Sequence, residues 1–236
     1  MSEQKTSPWI WVGCGCAVAI FLVAAGIVGV GFLGVRKAHE VAEELETPEG
    51  RERAVLRTLG SDRLPEGYYP VGGLQIPFVM DIAILSDLPP VEGADPDEHD
   101  FGERGFIYFK MITFGRQQQE LRDFFEGRTD DPRVLRDNNI ELRVREVVGR
   151  GEVEHPAAEV LFVVHRGEVS ALGSTDNEGL ISTILIGCPD DERMRMGIWF
   201  GPDPSPEAPA DELDLTGTVG DPPAISSFLE PLRPCV

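Results

Sequence analysis

From Thr6 to Val35 the chain carries no charged residue over thirty consecutive positions. A helix crossing a ~30 Å hydrocarbon core needs about 20 apolar residues, so Trp9–Val35 (WIWVGCGCAVAIFLVAAGIVGVGFLGV) is long enough to span with tilt. Trp9 and Trp11 stand at one end, where amphipathic indoles settle at headgroup level, and Arg36 and Lys37 close the other. A cleaved signal peptide has an apolar region of only ~7–15 residues after a basic start. This start, Met1-Ser2-Glu3-Gln4-Lys5, holds a single basic side chain. The expectation is a short head over 1–8 and an uncleaved transmembrane helix over 9–35, with the lipid bilayer as its partner.

Within that run, Gly29-Val30-Gly31-Phe32-Leu33-Gly34 matches the G-x-G-x-x-G dinucleotide fingerprint. The fingerprint needs a strand before it and a helix opening after it, whereas amides inside a spanning helix are already bonded. Small residues four apart, Gly13 with Ala17 and Ala25 with Gly29, instead suit close helix packing and a homo-oligomer, or a lone helix facing lipid. Cys14 and Cys16 have no second pair at metal-ligand spacing and read as small buried hydrophobes.

Acidic residues number 41 against 21 basic ones, a formal net charge of −20. That charge repels phosphate backbones, which excludes nucleic acid as a partner, and it favours a basic protein or a divalent cation. Orientation signals conflict. Basic residues after the run (Arg36, Lys37, Arg51, Arg53) argue for a cytoplasmic carboxy-terminal part. The acidic composition and a potential cysteine pair argue for export, and the reading adopted is extracytoplasmic.

Residues 36–59 read as an amphipathic stalk, with Thr47 as N-cap and Pro48 at the first helical position. Residues 60–236 form the globular part. Leu74–Ser86 reads as a β-rich run in which Pro77 marks an edge or bulge, and Gly105–Thr113 as a second strand. Arg116–Phe125 is helical and ends at Gly127. Ile140, Leu142 and Val144 alternate as a half-buried strand, and Glu159–Val164 forms another that ends in an Arg166-Gly167 turn. A hairpin joins Leu180–Gly187 to Met194–Phe200, and a helix capped by Asp221 runs through Leu229. The fold class expected is α+β: an amino-terminal transmembrane helix, then a mainly antiparallel sheet with helices packed on it.

That order of strands, one helix, a meander and a terminal helix resembles the PsbP-like α/β/α sandwich. The Trp9–Cys16 segment together with Leu64-Pro65-Glu66-Gly67-Tyr68 and Pro77-Phe78-Val79-Met80 resembles uncharacterised single-pass membrane proteins of bacteria, over residues 9–126. The resemblance implies a bacterial inner-membrane or envelope location and supplies no catalytic residues. Eighteen arginines against three lysines agree with GC-rich bacterial usage.

No C-x-x-C, G-x-S-x-G, H-E-x-x-H or phosphate-loop pattern is present. The histidines, His39, His99, His155 and His165, do not group in sequence. The loop Glu92–Glu103 gathers Asp95, Asp97, His99 and Asp100, hard ligands suited to Ca²⁺ or another divalent cation, although EF-hand spacing fails. Cys188 and Cys235 are a disulfide candidate in an oxidising compartment. The expected function is a non-enzymatic binding or structural role in the envelope. Alternatives are a metal-dependent hydrolase using the acidic loop, or a homo-oligomeric membrane scaffold.

Overall fold

The computed structural model describes residues 45, 47–76, 79–89, 101–112, 115–137, 142–169, 177–189 and 191–235. Among them, helix α1 (Pro48–Leu59) leads into strands β1 (Tyr69–Ile76), β2 (Met80–Ser86) and β3 (Gly105–Met111). Helices α2 (Gly115–Phe125) and α3 (Arg133–Asp137) follow. Four long strands come next, β4 (Leu142–His155), β5 (Ala158–Val169), β6 (Asn177–Cys188) and β7 (Asp191–Gly201), and then helix α4 (Pro222–Leu229).

All seven strands join one antiparallel sheet in the order β1-β2-β3-β7-β6-β5-β4. Two meanders therefore meet at β3 and β7. Alternate side chains point to opposite faces of a strand, so each central strand feeds two cores. Phe106, Tyr108, Phe162, Ile184 and Trp199 pack with Val55 and Leu59 of α1 and Ile225 and Phe228 of α4. Phe109, Val163, Ile181 and Met196 pack on the other face with Leu121, Phe124 and Phe125 of α2 and Leu135 of α3. A strand covered on both faces reads as a continuous apolar run, which is why Val160–Val164 shows no alternation.

Several expectations are corrected here. Among the described residues no helix is long and apolar enough to cross a membrane. The longest, α1, has 12 residues, which at ~1.5 Å each falls far short of the hydrocarbon core. The described residues thus form an α+β domain with a seven-stranded antiparallel sheet and packed helices, and no transmembrane helix is among them. The bilayer partner, the single-pass inner-membrane location and the membrane scaffold have no support from them. Residues 9–35, including Gly13, Ala17, Ala25 and Gly29, lie outside the described residues.

One compact unit runs from Leu45 to Val236, and helix α1 belongs to it. Helix α1 is capped by Thr47, whose hydroxyl accepts from the Gly50 amide at 3.1 Å, and it buries Ala54, Val55 and Leu59 in the domain. It lies so close to β1 that a Cβ on Gly73 would sit 2.8 Å from the Ala54 carbonyl carbon. Gly60 then ends the helix at φ 62°, with the Ser61 amide donating to Leu56.

Leu74–Ser86 is not one run but the hairpin β1–β2, turning between Ile76 and Met80. Arg166 and Gly167 are not a turn but lie inside β5. Gly167 is needed because a Cβ there would overlap the Arg143 carbonyl of β4. Arg166 crosses to the proline-rich loop after β7. Its guanidinium donates to the Asp203 carboxylate at 2.6 Å, to Glu146 at 2.8 Å, and to the Ser205 and Ala208 carbonyls at 2.8 and 2.5 Å. Asp221 precedes α4 as expected, but its carboxylate accepts from the Gly217 amide rather than capping a helix amide.

Cys188 and Cys235 form a disulfide, with Cα atoms 5.5 Å apart and a sequence separation of 47. Beside it, the buried Arg195 donates to the Pro234 carbonyl at 2.7 Å. Closing a loop of that size restricts the unfolded chain and stabilises the fold by up to ~4 kcal/mol. The paired change Cys188→Ser and Cys235→Ser should lower the urea midpoint by an amount equivalent to about 2–4 kcal/mol. An unchanged midpoint would show the bridge to be stability-neutral.

Candidate ligand-binding site

The strand register brings three charged residues into one row on the α1–α4 face. Asp81 of β2 pairs with Lys110 of β3, and Lys110 pairs with Arg195 of β7. One step further along β3, Tyr108 lies fully buried beneath them, and burial raises its phenol well above the ordinary range. The row is the point where the apolar face gives way to the ends of the strands. Those ends enclose a cavity of about 370 Å³, lined by Ile76, Met80, Asp81, Lys110, Ile112 and Arg193 among others.

The polar end of this cavity has an excess of positive charge. Asp191 is gripped by both neighbouring arginines: Arg193 donates from Nε at 2.9 Å to each carboxylate oxygen, and Arg195 donates to Oδ2. These contacts hold the Asp191 carboxyl far below its usual range, chiefly through Arg193. The ammonium of Lys110 sits 4.0 Å from the Asp81 carboxylate, a long separation for an ion pair. Lys110, Arg193 and Arg195 thus face two carboxylates, leaving one positive charge over in a chain whose net charge is −20. The Lys110 side chain is only 12% exposed, and its pKa is lowered, first by burial and then by Arg193 and Arg195.

The other end is apolar. Of the six most exposed large hydrophobics among the described residues, Ile76 (38%), Val79 (59%) and Ile112 (57%) all rim this cavity. Single exposed hydrophobics need no explanation, but three around one opening with a half-buried cation at its base have the make-up of a binding site.

The residues picked out by sequence fall elsewhere. Asp95, Asp97, His99 and Asp100 lie outside the described residues. Among those described, no group of three or more His, Cys, Asp or Glu is arranged to hold a metal ion, so the metal-dependent hydrolase reading has no support from them. His155 lies at the end of β4, beside another cavity lined by Glu152, Glu154 and Glu230. His165 is fully buried: its Nε2 lies 2.9 Å from Thr183 Oγ1, and its ring stacks on Phe124 at 5.9 Å. Since the Thr183 hydroxyl donates to the Val163 carbonyl, the imidazole is the donor at Nε2, and Nδ1 is left without a partner.

Lys110, Asp81 and Arg193 were not among the sequence candidates. The signal available was a lone lysine inside an otherwise apolar strand; Lys5 and Lys37 are the other two lysines in the chain.

The chain matches no protein-family model, and no curated protein is found to be similar to it. The PsbP-like identity and the kinship with single-pass membrane proteins are corrected accordingly. Element order is a weak guide to identity, because many unrelated chains cover a sheet with helices on both faces.

Burial of His165, aided by the nearby Arg150 charge, lowers its pKa from 6.5 to about 3. The unfolded chain therefore takes up a proton near pH 6.5 that the folded protein refuses until about pH 3. This contribution to stability is complete above pH 6.5 and declines as pH falls, with a slope approaching ~1.4 kcal/mol per pH unit. Urea midpoints between pH 7 and pH 4 should fall more steeply for the native protein than for His165→Leu. Parallel curves would show that His165 is not buried in neutral form.

Proposed function

We propose that this domain is a non-enzymatic binding domain for a small organic anion with an apolar body, received at the Lys110 cavity. The observation that carries the reading is the coincidence of the three exposed hydrophobics with the local excess of positive charge. A carboxylate placed at the polar end would meet the Lys110 ammonium, which lies 4.0 Å from the Asp81 carboxylate. Charge-assisted hydrogen bonds in such a partly desolvated site are among the stronger polar contacts. Ile76, Val79 and Ile112 would bury the hydrocarbon part, gaining ~25 cal/mol per Å² of apolar surface removed from water. A cavity near 370 Å³ lies at the lower end of the usual size for ligand pockets, roughly 300–1,000 Å³, which favours a short chain over a lipid.

Titration calorimetry with hexanoate, hexanol and hexylamine tests the assignment. Hexanoate should bind more tightly than hexanol and much more tightly than hexylamine, and its advantage should shrink with added salt. Lys110→Met should weaken hexanoate by roughly 10–100-fold, the worth of one hydrogen bond to a charged group, and leave hexanol nearly unchanged. Equal binding of hexanoate to the native protein and to Lys110→Met would overturn the reading.

A further inference from the structure

We propose that Lys110 also captures small apolar aldehydes and ketones covalently and reversibly, as an imine on its ε-nitrogen. This inference rests on the same cavity and deepens its reading by naming a second head group that the site accepts. A lysine attacks a carbonyl only as the neutral amine, and it becomes useful in that role where its surroundings disfavour the ammonium.

Three features of the site do so. The Lys110 side chain is withdrawn from water at 12% exposure, above a fully buried Tyr108. Arg195 stands beside it in the strand register, and Arg193 lines the same cavity. The one carboxylate that could compensate both arginines and the lysine, Asp191, is committed to the arginines. What remains is Asp81 at 4.0 Å, too far to hydrogen-bond to Lys110 or to form a tight pair. The groups facing the amine are therefore Asp81 from β2, Tyr108 from β3, and Arg193 and Arg195 from β7. Burial and the two arginines lower the pKa of Lys110, while Asp81 and Asp191 oppose them.

The step balances without any redox partner. The Lys110 nitrogen forms a bond to the carbonyl carbon, and the carbonyl oxygen becomes a hydroxyl. That hydroxyl departs as water, its two hydrogens coming from the amine, and a C=N double bond remains. The protons leaving nitrogen reach the departing oxygen through solvent at the opening of the cavity. The apolar rim of Ile76, Val79 and Ile112 would hold the hydrocarbon part of the bound carbonyl compound.

The test uses the full chain with hexanal and cyanoborohydride, which reduces an imine to a stable amine, followed by peptide mass mapping of Lys5, Lys37 and Lys110. Labelling at Lys110 should run several-fold faster than at the other two lysines. Its rate should level off at a lower pH than theirs, and excess hexanoate should suppress it alone. Equal rates and equal pH profiles at all three lysines would overturn the inference. Calorimetric binding of hexanoate without selective labelling removes the imine and keeps the anion site. Selective labelling without hexanoate binding upholds the imine and removes the anion site.

Discussion

The pairing of β3 with β7 is the contact on which the rest of the domain depends. Each meander is local in sequence, and the two become one sheet where Gly105–Met111 lies alongside Met194–Phe200. Once paired, the two strands carry both cores: Phe106, Tyr108 and Trp199 towards α1 and α4, and Phe109, Met196 and Ile198 towards α2 and α3. The pairing also brings Lys110 beside Arg195 and places Arg193 at the mouth of the same cavity. The candidate site is therefore a product of long-range register and not of any local motif. Such contacts close large loops before they return any stabilisation, so this junction is a demanding step in assembling the fold.

Local chemistry was legible where it has a local cause. Thr47 with Pro48, Gly127, and Asp221 with Pro222 mark helix boundaries because caps and fixed φ angles act within a few residues. The hairpin between β6 and β7 showed for the same reason. The misreadings came from glycines and prolines whose role is set by distant chain. Gly167 looked like a turn residue, yet it serves the close approach of β4. At Pro77 the sequence pattern suggests an edge or a bulge instead of a hairpin turn, because an apolar hairpin and an apolar strand share one pattern when the turn is short. Lys110 was passed over for a related reason. Alternation within β3 gives the face on which it lies, but its partners sit on β2 and β7, and no single strand reveals cross-strand register.

Buried cations recur in this acidic chain, each with a different degree of satisfaction. Arg195 is saturated by Pro234, Arg193 and Asp191, and Arg166 by two carboxylates and two carbonyls. A guanidinium suits such fixed, multiply bonded sites because its donors form a rigid fork. Lys110 departs from that pattern in having one distant carboxylate and an opening to the surface. The contrast separates the saturated guanidiniums from the lysine on which the proposed site rests.

The Arg166 clamp has a consequence for how the surface behaves in the presence of proteases. A segment such as Gly201–Pro209, irregular and rich in proline, is ordinarily among the first places a chain is nicked, because local opening there costs little. In this domain, lifting that segment away from β5 would strip Asp203, Ser205 and Ala208 from a guanidinium that has little water to replace them. Opening that segment thus costs more than its composition suggests, and nicking there is slowed by a side chain rooted in β5.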